Sequence, residues 1–107
     1  MNSVCIELRA TYDPDFKTIG DTSVCVISCA FTEAFVKGQQ KSGFVTLKAW
    51  GRLAEICRDS IHKGDAFHCT CHLGFEQWEK DGAKHQKNIL IADAIHLPRR
   101  GTAQARD

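Results

Sequence analysis

Hydrophobic and polar residues alternate along several short segments of this chain, a pattern typical of β-strands with one buried face. In the first segment, Val4, Ile6 and Leu8 would lie on one face and the intervening residues on the other. Other segments are rich in β-branched and aromatic residues, which favour strands. The pattern predicts five strands, at residues 4–11, 23–35, 44–50, 66–73 and 89–97.

One segment has the period of a helix instead. Its apolar residues recur at positions i, i+3, i+4 and i+8, which fall on one helical face. They are Leu53, Ile56, Cys57 and Ile61. We expect Gly64 to end this helix, with Lys63 near its negative end.

Polar and turn-forming residues separate the predicted strands. Pro14 interrupts the chain after the first strand, and residues 37–42 read as a hairpin loop around Gly38. A polar loop beginning near Glu79 contains the turn signal Asp81-Gly82. In the segment 66–73 the alternation places four apolar side chains inward, namely Phe67, Cys69, Cys71 and Leu73.

Three strands, one helix and two strands follow one another along the chain. This order predicts an all-β fold, a five-stranded OB-fold barrel with one helix between the third and fourth strands. A two-layer α+β sheet is the structural alternative. We expect one domain over residues 1–101 and a short disordered tail over residues 102–107.

Composition narrows the class of protein. The 107 residues are 43% hydrophobic and 25% charged, as in soluble globular domains, and the net charge is only +1. No apolar run approaches a membrane span and no secretion leader is recognisable, so a cytoplasmic location is expected. Any binding of a polyanion must therefore depend on local clustering of the 14 Lys and Arg residues.

The predicted strand 44–50 has the most informative pair of faces. Val45, Leu47 and Ala49 form an ordinary core stripe. The opposite face places a cation between two large aromatic side chains, with Phe44, Thr46, Lys48 and Trp50 in sequence. Aromatic rings can stack on bases and a cation can contact phosphates, so this face predicts binding of single-stranded nucleic acid.

Six cysteines are many for this length, and most fall within apolar segments. Without a leader they are best interpreted as reduced core residues. Residues 68–72 read His-Cys-Thr-Cys-His, but alternation sends the two Cys and the two His to opposite faces. A metal could be held only if Cys25 and Cys29 met Cys69 and Cys71 inside the barrel. We therefore predict no metal site, no cofactor and no catalytic residues.

Several motifs resemble the bacterial single-stranded DNA-binding protein family. Residues 49–55 read Ala-Trp-Gly-Arg-Leu-Ala-Glu, and residues 63–65 read Lys-Gly-Asp after the predicted helix. The family's motif after its first strand resembles residues 13–17, and its second-strand motif resembles residues 33–35. The entry to its long fourth loop resembles residues 78–82. The resemblance extends from about residue 2 to about residue 97 and implies an OB-fold that binds single strands without strong sequence preference, usually as a homotetramer.

Carried over residue by residue, the resemblance implies four stacking platforms, at Phe35, Phe44, Trp50 and Trp78. Cations near them could contact phosphates, namely Lys37, Lys41, Lys48, Arg52, Lys80, Lys84 and Lys87. Two departures stand out. Glu76 occupies a stretch that is usually basic, and the family's long tail with an acidic tip is not found. Partner proteins are therefore expected to bind the barrel instead of the C-terminus.

Two other functions remain open at this point. A primosomal B-type replication-restart protein would be a dimer, whereas the family that this chain resembles forms tetramers. An OB-fold protein-interaction module would bury its aromatic face against another protein. The expected role is non-catalytic coating of single-stranded DNA in replication, recombination or repair, and the choice between DNA and RNA is open at this point.

Overall fold

The computed structural model describes residues 1–97, with the side chains of residues 34–36 left out. Six strands and one helix make up this part of the chain. In order they are β1 (Val4–Ala10), β2 (Asp15–Ile19), β3 (Thr22–Val36), β4 (Gln39–Trp50), α1 (Arg52–Ser60), β5 (Ala66–Lys80) and β6 (Ala83–His96).

The strands close into a barrel through β1. The sheet order is β1-β5-β6-β4-β3-β2, and β1 also pairs with β3 at Arg9 and Ala10. The barrel therefore consists of β1, β3, β4, β5 and β6, with β2 paired to the outer edge of β3. This is the predicted OB-fold, with α1 between the third and fourth barrel strands, so the two-layer alternative is wrong.

The core fills the barrel with the inward residues that alternation predicts. Leu8, Ile27, Leu47 and Phe67 are almost completely buried, and they come from four different strands. The helix α1 packs against β3 and β4 and contributes Ala54 and Cys57 to the same core. Burial of this apolar surface makes the main favourable contribution to the stability of the barrel.

Both long hairpins extend further than the sequence predicted. Residues 37–42 were expected to form a loop, but the turn is confined to Lys37 and Gly38, and β4 begins at Gln39. Both turn residues have positive φ, 53° and 79°, which suits the two-residue turn that matches strand twist. Asp81 and Gly82 form the same kind of turn, with φ of 54° and 78°, so the expected loop from Glu79 is also strand.

The sequence also missed β2 and misplaced the end of α1. After the interruption at Pro14, the chain re-enters the sheet at Asp15 and pairs with β3. The helix ends at Ser60, and Ile61 is already extended at φ −107° and ψ 131°. Gly64, at φ 93°, belongs to the following turn, in which the carboxylate of Asp65 accepts a hydrogen bond from the backbone N–H of His62 at 2.9 Å.

One inward assignment is wrong. Phe67, Cys69 and Cys71 are buried as expected, but Leu73 is 48% exposed. The strand β1 begins at Val4, which pairs with Cys71, so β5 has no β1 partner beyond Cys71 and leaves the barrel there. Leu73 lies opposite Leu90, which still pairs with β4; beyond this pair β5 and β6 continue as a protruding two-stranded arm, called the β5–β6 arm below.

The predicted domain boundary at residue 101 and the predicted tail at residues 102–107 lie outside the described residues. Within residues 1–97, no helix is long and apolar enough to cross a membrane.

Candidate nucleic-acid interface

The two faces of β4 are as different as its sequence predicts. Phe44 is 78% exposed and Trp50 is 43% exposed, whereas Leu47 and Ala49 on the other face are fully buried. Extended backbone geometry alone produces this separation, because successive side chains point to opposite sides of the sheet. The exposed aromatic side chains are therefore held by a rigid strand at the barrel surface.

The exposed face of β4 continues across β6 and β5. In register, Lys48 of β4 lies beside Ile91 of β6, and Ile91 lies opposite His72 of β5. Further along the β5–β6 arm, Trp78 lies opposite His85. Paired residues share a face of the sheet, so the three strands form one surface. We call this surface the aromatic face, comprising Phe44, Thr46, Lys48, Trp50, His72, Glu76, Trp78, His85, Lys87 and Ile91.

Trp78 forms the far end of the aromatic face. Its ring is 45% exposed and stacks on the His85 ring, with the centroids 5.7 Å apart and the planes 20° apart. The histidine supports one side of the indole, which leaves the other side available for a flat ligand.

The basic side chains of the aromatic face are held in different ways. Lys48 forms an ion pair with Glu76, and its ammonium also lies 5.9 Å from the Trp50 ring centroid. Lys87 donates a hydrogen bond to the Thr46 hydroxyl at 3.1 Å. The charge of Lys48 is therefore partly neutralised within the protein, whereas no ion pair within residues 1–97 engages the ammonium of Lys87.

The remaining predicted cations lie away from the centre of this face. Lys37 and Lys41 belong to the β3–β4 hairpin, where Lys41 pairs with Glu33 at 3.4 Å. Lys80 and Lys84 lie at the end of the β5–β6 arm, and Lys84 is opposite Glu79 on the side away from Trp78. Arg52 is the exposed first residue of α1. The backbone of Phe35 pairs with Gln40, but its side chain lies outside the described part of the structure.

The sequence missed one neighbouring feature. A cleft of about 560 Å³ opens beside Phe44, and its lining includes Tyr12 and Lys63 as well as Lys87. Tyr12 belongs to the connection after β1 and Lys63 to the connection after α1, so only the folded chain brings them to the edge of the aromatic face. Neither residue has a local sequence signal that would have identified it.

The histidines and cysteines of residues 68–72 separate as predicted. Cys69 and Cys71 point into the core, while His68 lies near Glu7 and His72 contacts Asp93 at 3.0 Å. Within residues 1–97, no group of three or more His, Cys, Asp or Glu side chains is arranged to hold a metal ion.

The cysteines are unpaired, and all except Cys5 are buried. Burial raises the pKa of the Cys29 and Cys69 thiols to about 12, since a thiolate is costly to place among apolar side chains. A hydrogen bond from the Cys57 thiol lowers the pKa of Cys25 and raises that of Cys57 itself. The thiols of Cys29, Cys57 and Cys69, which hold their protons so firmly, are poor nucleophiles.

Comparisons with known proteins agree with this geometry. The description "Single-strand binding protein family" belongs to the family model that matches residues 1–98 of the chain. Single-stranded DNA-binding protein 2 of Streptococcus agalactiae is 30% identical over 99 residues, covering 90% of this chain and 76% of the relative. The single-stranded DNA-binding protein of Aquifex aeolicus is 30% identical over 102 residues, covering 91% and 69%.

A solved structure has the same fold. The wild-type single-stranded DNA-binding protein of Thermus aquaticus superposes with a TM-score of 0.79 at 26% identity, covering 95% of this chain. This chain spans only about half, 52%, of the Thermus protein.

Proposed function

The chain belongs to the single-strand binding protein family, and from this we propose that it binds single-stranded DNA without catalysing a reaction. The observation that best supports this role is the aromatic face, where Phe44, Trp50 and Trp78 are exposed on rigid strands. Bases would stack on these rings and lysine side chains would contact the phosphates. Stacking tolerates any base, so binding is expected to show little sequence preference.

The proposed role includes self-association. A homotetramer is expected from the family resemblance, with a dimer as the alternative. Leu73 and Phe75 are 48% and 59% exposed on the side of β5 opposite the aromatic face. Apolar residues exposed together often mark protein contacts, so this side of the β5–β6 arm is available for a second copy while the aromatic face stays open. Roles in replication, recombination or repair would follow from coating exposed strands.

The two tryptophans make the proposal directly testable. Both rings lie on the aromatic face, so titration with oligothymidylate should quench the intrinsic fluorescence strongly, and duplex DNA should not. Trp50→Phe leaves Trp78 as the sole reporter, and Trp78→Phe leaves Trp50. Each variant keeps an aromatic ring for stacking, so each should still bind and show its own quenching.

The same titration separates the other candidate functions. A protein-interaction module would show neither quenching nor salt-dependent association with oligothymidylate. Lysine contacts to phosphates release counterions, so the affinity of a single-strand-binding protein must fall as salt rises. Absence of both signals in the wild-type chain would refute the proposal.

A further inference from the structure

The cleft beside Phe44 has the composition of a nucleotide site. Phe44 and Tyr12 contribute exposed rings, 78% and 66% exposed, and Lys63 and Lys87 contribute ammonium groups. None of the described residues that line the cleft is acidic. The cleft therefore combines surfaces for a flat ring with positive charge, which are the two features a nucleotide requires.

The cleft continues directly from the aromatic face. Its floor contains Ser28 of β3 and Thr46 of β4, which are cross-strand partners. The pair formed by Ala30 and Phe44 is the next one on this side of the sheet. A single strand of DNA that lies along Trp50 and Phe44 would thus reach the cleft without leaving the surface of the sheet. The two floor hydroxyls can donate to or accept from the edge of a base.

The side of the cleft that bears Tyr12 is anchored to the barrel. On one side of Tyr12, the backbone N–H of Thr11 donates to the Ser28 carbonyl oxygen at 2.8 Å. On the other side, the Asp13 carboxylate accepts a hydrogen bond from the backbone N–H of Lys63 at 2.8 Å. Tyr12 and Lys63 are therefore held beside each other, and little loop ordering would be required on binding.

The arrangement of charges also favours binding of a phosphate at the cleft. Glu76 lies opposite Lys87 in register, yet its carboxylate pairs with Lys48. The Lys87 ammonium is turned to Thr46 at the cleft floor. Within residues 1–97, neither Lys63 nor Lys87 forms an ion pair through its ammonium, so both remain available to a phosphate.

We propose that this cleft is a further nucleotide subsite, in which one base of a bound single strand stacks on Tyr12 beside Phe44 and its phosphate contacts Lys63 and Lys87. The inference rests on the proposed single-strand binding. It extends the aromatic face by Tyr12 and Lys63, so that the bound DNA turns from β4 toward the connection between β1 and β2.

Affinity measurements on the full chain test the ring and the charge separately. Tyr12→Ala should weaken oligothymidylate binding about five- to 100-fold, whereas Tyr12→Phe should retain near wild-type affinity because the stacking surface remains. Lys63→Gln should reduce the salt dependence, log K against log salt, by about 0.7 because one phosphate contact is lost. Arg58→Gln is the matched charge control. Arg58 lies on α1 over the ring of Phe16, away from the cleft, so this substitution should leave the salt slope unchanged.

Photochemical cross-linking locates the base independently of affinity. Oligothymidylate carrying one 5-iododeoxyuridine would be irradiated with the wild-type chain, and the cross-linked peptide identified by mass spectrometry. A cross-link to Tyr12 that is absent in the Tyr12→Ala variant would support the subsite, and cross-links confined to Trp50 and Trp78 would contradict it.

The possible failures are distinguishable. If wild-type protein binds and Trp50→Ala weakens binding, but Tyr12→Ala and Lys63→Gln match wild type, the subsite is wrong and single-strand binding stands. If wild-type protein does not bind oligothymidylate at all, both proposals fall together. Circular dichroism of each variant checks folding, and the exposure of Tyr12 and Lys63 makes unfolding unexpected.

Discussion

Lys48 and Glu76 form an ion pair across the aromatic face, although their strands are not neighbours. Lys48 lies on β4 and Glu76 on β5, and β6 runs between them in the sheet. Their side chains are 23% and 36% exposed, so the pair is partly shielded from water. The pair places a carboxylate in the middle of the surface proposed to bind a polyanion. That carboxylate pairs with the lysine whose ammonium lies 5.9 Å from the Trp50 ring centroid.

Replacing this carboxylate should therefore strengthen binding. Glu76→Gln removes a negative charge from the path of the strand and frees Lys48 for a phosphate. The affinity for oligothymidylate should rise at low salt, and the slope of log K against log salt should steepen by about 0.7 for one added contact. Fold stability should change by no more than about 1 kcal/mol, since partly exposed ion pairs contribute little.

A charge-matched variant on the same strand provides the control. Glu79 lies three residues away, on the opposite side of the β5–β6 arm, where it faces Lys84. Glu79→Gln changes the net charge by the same amount and should leave the salt slope close to wild type. Equal effects of the two substitutions would show that only the overall charge matters and that the Lys48–Glu76 pair has no specific role.

The contact between Phe31 and Gly43 gives a prediction about stability. The two residues are cross-strand partners, and a Cβ added at Gly43 would lie 2.7 Å from Cζ of the Phe31 ring. Gly43→Ala should therefore lower the free energy of unfolding by about 1 kcal/mol, because the end of the partly buried Phe31 ring must move aside. Without the clash, alanine in a strand would be favourable relative to glycine. Urea unfolding would measure the change.

A second substitution tests whether the ring is the cause. Phe31→Leu shortens the side chain that reaches over Gly43, at its own cost in buried area. In the double variant, Gly43→Ala should cost clearly less than it does alone, which a double-mutant cycle measures directly. Simple additivity of the two costs would contradict the proposed contact.

Local patterns predicted the parts of the fold that depend on burial. Alternation in β4 correctly separated Leu47 and Ala49 from Phe44 and Trp50, because one face of that strand packs in the core. The protruding arms of both hairpins are different. Residues 39–42 of β4 and residues 77–80 of β5 are exposed at every position, so they lack the hydrophobic alternation by which a strand is recognised, and residues 39–42 and 79–80 were interpreted as loop.

The unpredicted parts of the site depend on contacts between distant segments. Tyr12 and Lys63 line the same cleft. Asp13, the neighbour of Tyr12, accepts a hydrogen bond from the backbone N–H of Lys63, across a separation of 50 residues. Lys48 and Glu76 meet only once the register of β4, β6 and β5 is known. The sequence showed that Glu76 had an unusual charge for its position, but only the structure shows which cation it neutralises.

The buried thiols predict how stability depends on pH. Burial raises the pKa of Cys29 and Cys69 from 9.0 to about 12, so the folded chain holds these protons more tightly than the unfolded chain. Their contribution to stability is complete below pH 9 and is lost as pH rises toward 12. Over that interval each thiol should lower the free energy of unfolding by up to about 1.4 kcal/mol per pH unit.

Urea unfolding at a series of alkaline pH values would measure this loss. Cys69→Ala removes one of the two thiols, so its stability should be lower at neutral pH because of the cavity but should fall less steeply above pH 9. Parallel curves of unfolding free energy against pH for wild type and Cys69→Ala would show that burial of this thiol does not cause the loss of stability at alkaline pH.

Paired substitutions on the two faces of β4 test the proposed division between binding and folding. Trp50 is 43% exposed on the aromatic face, so Trp50→Ala should weaken oligothymidylate binding by about 1–3 kcal/mol for each stacked base lost, with little change in unfolding. Leu47 is fully buried, so Leu47→Ala should lower the free energy of unfolding by about 2–5 kcal/mol through a core cavity.

Any Leu47→Ala protein that remains folded should bind almost as well as wild type. Tryptophan fluorescence reports binding, from Trp78 alone in Trp50→Ala and from both tryptophans in Leu47→Ala, and urea unfolding reports stability. A Trp50→Ala chain that unfolds beside a stable Leu47→Ala chain would invert the roles assigned to the two faces.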